Sequence, residues 1–200
     1  MVTNPFAAEA LANFQRTAAV APSSRRLIHA MLDPLPLSTA QVAIEFGPGT
    51  GAITGPLLER LPRTAMLIAF EINRRFVSHL RRRFQDRRLL LLDASAETVG
   101  RELRRLGVLH VDAVASSIAM GFMSDVQRHS VLSGLLPFLH ANSVLTQYQY
   151  IHGLQYRDGR FSWFSGAQLL GQYFDFVTTR IIWLNLPPAF VYACQMDQTS

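Results

Sequence analysis

Glu45-Phe-Gly47-Pro-Gly49-Thr-Gly51 stands between an apolar run, Val42 to Phe46, and a segment of helical periodicity, Ile53 to Leu61. Glycines on alternate positions let the backbone turn sharply and pass close to a ligand, with no Cβ in the way. The spacing G-x-G-x-G departs from the G-x-G-x-x-G of dinucleotide-binding folds. No G-K-[ST] follows, which sets aside a nucleotide-triphosphate loop. An acidic residue, Glu45, sits on the strand just before the loop. Strand, glycine loop and helix in that order make one unit of an α/β sheet.

The same unit repeats downstream. Met66 to Phe70, Leu89 to Leu92, Val111 to Ala115 and Ser143 to Tyr150 read as strands. Arg74 to Phe84, Ala96 to Leu106 and Ser124 to Leu136 read as the helices between and after them. Apolar strands alternating with helices predict a mostly parallel sheet covered on both faces. The tail differs. Phe174 to Trp183 and Ala189 to Cys194 read as strands joined by a tight Asn185-Leu-Pro-Pro turn, an antiparallel hairpin that brings the expected sheet to seven strands. Tyr156 to Gly171 reads as an insertion or flap near the carboxyl edge, where open α/β sheets place their ligands.

Upstream, Asn4 caps and Pro5 opens a helix to Val20, with Phe6, Leu11, Phe14 and Ala18 on one face. Pro22, Ser23 and Ser24 lead into a second helix, Arg25 to Met31, which Asp33-Pro ends. The expected division is residues 1–34 as an N-terminal helical segment and 35–200 as the α/β domain.

The chain of 200 residues is long enough for one domain with a buried core. With 49% hydrophobic and 16% charged residues, a disordered chain is excluded. No apolar run reaches the roughly 20 residues that span a bilayer, and Met1 to Leu11 lacks the pattern of a secretion signal. The single cysteine, Cys194, cannot form an internal disulfide, and no Cys/His cluster has metal-ligand spacing, so no metal is expected. The net charge is +5, and all 19 basic residues are arginines, seven of them between Arg74 and Arg88. Arginine pairs well with phosphate. Such a surface suits nucleic acid or anionic lipid, against the plainer reading of a solvated helix face.

Glu45 to Gly51 resembles motif I of the class I methyltransferases, a Rossmann-like α/β fold. There the loop wraps the amino-acid end of S-adenosylmethionine. On that resemblance Glu45, Gly47, Gly49, Thr50 and Gly51 bind the cofactor. Glu71 ends the second strand, where a carboxylate can accept from both ribose hydroxyls. The resemblance further implies that Asp93, followed by Ala94, receives the adenine amine, and that Ile72 packs on the adenine ring. It places Ser116 and Ser117 beside the transferring methyl group.

Nearly the whole chain is similar to the bacterial phospholipid N-methyltransferases acting on phosphatidylethanolamine. The similarity runs through Ala19-Val20-Ala21-Pro22-Ser23-Ser24, Glu45 to Gly51, Gln147 and Tyr150, Phe174-Asp175-Phe176 and Asn185-x-Pro-Pro-Ala189. It implies N-methylation of an aminophospholipid towards phosphatidylcholine, with ornithine lipid as another aminolipid, and adds Ser23 and Ser24 to the cofactor residues. An amine must be neutral to attack, so the site must strip its proton or favour the neutral form by desolvation. Tyr150 is the expected contact to the amine, and Tyr148 shares its face by strand alternation. The five tyrosines and the late Phe and Trp residues form either a cation–π pocket or a packed core. Arg180 is the expected partner of the lipid phosphate, with Arg157 and Arg160 as others, and His152 reads as a loop histidine with no role rather than as a proton relay. The N-terminal helix, with the arginine-rich stretch, is expected either to lie on an anionic membrane or to lid the cofactor. A cytoplasmic protein at the inner face of the membrane follows.

A second resemblance competes. Phe46 to Thr54 is similar to the loop of RNA adenine dimethyltransferases, and the basic charge suits RNA. Enzymes that methylate a base amine carry Asn/Asp-Pro-Pro/Leu-Tyr/Phe after the fourth strand. Here that position reads Ser116-Ser-Ile-Ala-Met120, so no nucleic-acid partner is expected.

Overall fold

The computed structural model describes residues 24–150, 154–157, 160–185 and 187–197, with the backbone alone for 154–157 and 160–163. Helix α1 (Arg25–Leu32) is capped by the Ser24 hydroxyl, which accepts from the Leu27 N–H. Then β1 (Val42–Phe46), α2 (Thr54–Arg60), β2 (Met66–Glu71), α3 (Arg74–Arg83) and β3 (Leu89–Asp93) alternate. Next come α4 (Val99–Arg105), β4 (Val111–Ser116), α5 (Asp125–Leu135) and β5 (Leu139–Tyr150). The hairpin β6 (Leu154–Arg157) and β7 (Arg160–Trp163), α6 (Gly166–Leu170), β8 (Phe176–Ile182) and β9 (Ala189–Gln195) complete the described order.

Seven strands form one sheet in the order β3-β2-β1-β4-β5-β9-β8. β1 to β5 pair in parallel, and β9 runs antiparallel between β5 and β8. This is the Rossmann-like methyltransferase architecture with its closing hairpin. Both sheet faces are covered, which is why the central strands are apolar at nearly every position. One face packs Ala43, Leu67, Ala113 and Val144 against Leu27, Met31 and Leu57 of α1 and α2. The other packs Ile44, Ile68, Val114 and Leu145 against Leu103, Val131 and Leu170 of α4, α5 and α6.

At the starts of the strands, Asp112 Oδ2 accepts from the Gln41 and Val42 N–H groups at 2.8 and 2.9 Å. His140 Nε2 lies 3.0 Å from the other carboxylate oxygen. Asp112 thereby ties β1, β4 and β5 together.

Three elements depart from expectation. The segment read as one helix from Ala96 begins as a 3-10 turn, Ala96–Thr98, because the Ser95 hydroxyl accepts from the Glu97 N–H and draws that turn tight. β5 starts at Leu139 rather than Ser143. There the Ser143 hydroxyl donates to Val111 O at 2.6 Å and accepts from the His140 N–H, bridging an irregularity in the β4–β5 register. The segment read as a flap from Tyr156 to Gly171 holds a separate two-stranded sheet, β6–β7, and helix α6. The helix expected from Pro5 to Val20 lies outside the described residues.

Candidate cofactor site

The glycine loop leaves β1 at the carboxyl edge. Gly47, Gly49 and Gly51 have φ of 74°, 55° and 84°, a region that a Cβ makes costly. Gly51 is the tightest: a Cβ there would lie 2.5 Å from Phe84 Cε2 and 2.9 Å from Leu80 Cδ2. The loop thus packs directly on the end of α3, and Arg83 Nη1 donates to Thr50 O at 2.7 Å.

Glu45 is fully buried beneath the loop. Its Oε2 accepts from the Thr54 hydroxyl at 2.7 Å, while Oε1 has no hydrogen-bond partner. Burial pushes its pKa up to about 8; the Thr54 hydrogen bond opposes the rise and the nearby Glu71 charge adds to it.

Glu71 ends β2 and is also buried. Its Oε2 accepts from the Gly49 N–H at 3.0 Å and its Oε1 from the Asn73 N–H at 2.8 Å. Burial raises its pKa against the pull of the Asn73, Gly49 and Ile72 N–H groups. Two carboxylate oxygens offer about four lone-pair sites, more than these three N–H groups take up. Asp93 stands opposite Glu71 in register and is exposed, with Arg74 Nε 3.5 Å from its Oδ2. The Ala94 N–H donates to Glu71 O at 3.2 Å. Ile72, just beyond the strand end, is 58% exposed. Glu45, the loop, Glu71, Ile72, Asp93 and Ala94 therefore meet across the ends of three adjacent strands.

The Ser116 side chain, at the end of β4, is fully buried and donates to Gln147 Oε1 at 2.5 Å. Gln147 Nε2 in turn donates to Ile118 O at 3.0 Å and Tyr148 O at 2.5 Å. The Ser117 N–H donates to Phe46 O at 2.9 Å. This buried network fixes the backbone where β4 and β5 end.

Tyr148 and Tyr150 share one face, their rings edge-on at 5.3 Å. Tyr148 is buried, and burial together with the neighbouring Tyr150 hydroxyl holds its proton far above the usual tyrosine range. Tyr150 is half-buried. Register adds a member: Tyr148 pairs with Val191 and Val191 with Arg180, so Arg180 lies in the same lateral row, exposed on the edge strand. Two strand spacings put its Cα about 10 Å from that of Tyr148. Tyr192 and Tyr173 pack instead against the opposite face. The four tyrosines whose side chains are described divide between two cores and do not wall a single pocket.

The small-residue segment and the tail meet across 161 positions: the Ser24 N–H donates to Asn185 Oδ1 at 3.1 Å. Asn185 is buried and its Nδ2 donates to Pro187 O at 2.7 Å. Ser23, His152 and the side chains of Arg157 and Arg160 lie outside what the structure describes.

Sequence reasoning missed Thr54 and Arg128. Arg128 is buried; Nη1 donates to Met120 O at 3.2 Å, Nη2 pairs with Asp125, and the guanidinium sits 5.0 Å over the Phe164 ring. It clasps the segment after β4 to the segment after β7. Its place one turn before Val131 and Leu132 on the buried stripe of α5 was the signal that could have found it.

No family model matches the chain. It is 27% identical over 182 residues to an ornithine lipid N-methyltransferase of Singulisphaera acidiphila, covering 89% of this chain and 88% of that protein. It is 36% identical over 88 residues to ribosomal RNA small subunit methyltransferase A of Thiobacillus denitrificans, covering 42% of this chain but 33% of that protein. In fold it resembles the magnesium protoporphyrin IX methyltransferase of Synechocystis PCC 6803, solved with S-adenosylmethionine bound. The TM-score is 0.61 at 12% identity, over 98% of this chain and 86% of that one.

Proposed function

We propose that this chain, an S-adenosylmethionine-dependent methyltransferase, methylates the primary amine of an aminolipid head group. The observation that carries the lipid reading is the row of Tyr148, Val191 and Arg180 beside Tyr150. It sets a hydroxyl pair on β5 and a guanidinium on β8 on one sheet face, towards the carboxyl edge from which the glycine loop also leaves. An amine and a neighbouring anion have partners there.

The residues fit the cofactor. The buried, partnerless Oε1 of Glu45 suits the ammonium of its methionyl end. The positive-φ glycines admit its close approach. Glu71 suits the ribose hydroxyls, Asp93 the adenine amine, and Ile72 and Ala94 the ring face. Ser23 and Ser24 join these on the sequence resemblance, and Thr50 is held in the loop by Arg83. When bound, S-adenosylmethionine supplies a methyl group on a positively charged sulfur.

The chain's own work is to orient the acceptor and keep its nitrogen neutral. In this reading the Tyr150 hydroxyl accepts a hydrogen bond from the amine and aligns its lone pair. Tyr148 fixes the Tyr150 ring from behind, Ser116 and Gln147 hold the strand ends, and Arg180 pairs with the lipid anion. Residues 1–34 act as lid and membrane contact for the catalytic domain of residues 35–200. No described helix is long and apolar enough to cross a membrane, so contact with the inner membrane face would be peripheral.

Phosphatidylethanolamine is the acceptor the sequence resemblance favours, and ornithine lipid the one named for the Singulisphaera relative. Both offer a primary amine near an anion. The test is radiolabelled methyl transfer from S-adenosylmethionine to vesicles of either lipid, with structured RNA as a third acceptor. Label in a lipid extract supports the proposal, and chromatography identifies which lipid and how many methyl groups. Label confined to RNA overturns it.

A further inference from the structure

We propose that the turn between β8 and β9 is a membrane-inserting tip, with Trp183 and Leu184 entering the interface of an anionic bilayer beside the acceptor site. This rests on the aminolipid reading above and names a second part of the chain, besides residues 1–34, that meets the lipid surface.

Trp183 is 68% exposed and Leu184 71% exposed, adjacent large apolar side chains at the end of a hairpin. The register fixes where that end lies. Tyr150 pairs with Ala189 and Ala189 with Ile182. The turn that follows Ile182 therefore projects from the carboxyl edge, the edge of the glycine loop. Two strand spacings separate Ile182 from Tyr150, about 10 Å between Cα atoms. A lipid whose head group reaches Tyr150 must bring its bilayer up to this edge.

The tip is held rather than loose. Asn185 is buried beneath it, accepting from the Ser24 N–H and donating to Pro187 O. Pro187 and Pro188 restrict the backbone beyond. A restrained turn gives up little conformational entropy on insertion. Indole prefers the membrane–water interface, and leucine gains by leaving water. The flanking charge is complementary to anionic head groups. Arg180 is exposed on the same strand, and Arg25 and Arg26, also exposed, follow the Ser24 that bonds to the turn.

The test uses the full chain carrying Trp163→Phe, so that Trp183 is the single tryptophan of the two in the sequence. Its emission is followed on adding phosphatidylcholine vesicles with and without phosphatidylglycerol, and then vesicles of brominated lipid. A blue shift with phosphatidylglycerol and quenching by bromine support insertion. Trp183→Ser with Leu184→Ser should lower vesicle partitioning by about tenfold or more, while Trp183→Phe keeps most of it and cofactor affinity stays unchanged. Unshifted, unquenched emission together with equal partitioning of the double serine variant overturns the inference. So does a wild-type dimer in sedimentation velocity that the double variant dissolves, because the tip is then covered by a second copy. These readouts are independent of methyl transfer. Lipid methylation with a water-exposed Trp183 removes the tip alone, and RNA methylation with an inserted Trp183 removes the acceptor reading alone.

Discussion

Replacing Glu45 by Gln should abolish a pH dependence that the wild-type site is built to show. Glu45 is fully buried, one oxygen has no partner, and its pKa is pushed up to about 8. If it must be ionised to receive the cofactor's ammonium, apparent affinity scales with the ionised fraction. That fraction is about one-tenth at pH 7 and about one-hundredth at pH 6. The dissociation constant of the wild type should therefore tighten about tenfold per pH unit between 6 and 7.5. The ligand's own α-amino group, with a pKa of about 8, sets the upper limit of the useful range. Glu45→Gln should lose the slope and bind more weakly than wild type at pH 8. Calorimetric titration with S-adenosylhomocysteine, which keeps the methionyl end and is chemically stable, measures this. Buffers of differing ionisation heat should reveal close to one proton released at pH 7. The same shift acts on folding. The folded-state pKa lies above the ordinary value of 4.5, so the associated stability is full below 4.5 and is lost as the pH rises through about 8. Glu45→Gln should unfold at a higher temperature than wild type at pH 8. A wild-type affinity flat within about twofold from pH 6 to 8, or an equal slope in the Gln variant, would refute the assignment.

Gly51→Ala forces a Cβ to within 2.5 Å of Phe84 at φ 84°, and overpacking of this kind costs about 1–3 kcal/mol. Thermal denaturation should show the loss, and cofactor affinity should fall with it. Tyr150→Phe should cut turnover while leaving cofactor affinity within about twofold of wild type, and full activity would remove Tyr150 from the mechanism. For Asp112, burial alone would raise the pKa, but the Val42 N–H, His140 and the Gln41 N–H outweigh it and hold it below the ordinary 3.8. Its stabilisation is therefore present above 3.8 and lost as the pH falls through the lowered folded-state value. Asp112→Ala strands the half-buried Val42 N–H, at about 1–3 kcal/mol, while the exposed Gln41 N–H turns to water. Urea unfolding at pH 7 should show that deficit, and it should shrink under strongly acidic conditions.

The first four strands were legible because each is a predominantly apolar run. β1 was read from Val42 to Phe46 as the structure has it, and β2 and β3 differ by the single terminal carboxylates Glu71 and Asp93. Misreadings arose where polar side chains act on distant backbone. His140, Asn142 and Ser143 made the start of β5 look like a loop, because the partner that makes it strand is Val111 on β4. The division of the tyrosines was hidden for the same reason: spacing gives the face of one strand, while the neighbouring sheet order gives what covers it.

Sequence by itself determined the glycine loop, the acidic residues at successive strand ends and the alternation that builds a parallel sheet. These are short-range patterns, fixed by the periodicity of backbone and side chain. Tertiary structure alone decided that Arg180 shares a row with Tyr148, that Ser24 is held by Asn185, and that Trp183 and Leu184 stand at the carboxyl edge of the sheet. Each of those relations depends on β9 inserting antiparallel between β5 and β8. Strand pairing over so long a loop is chosen by the burial of whole faces and the closure of the sheet's hydrogen bonds, which no local stretch of chain encodes.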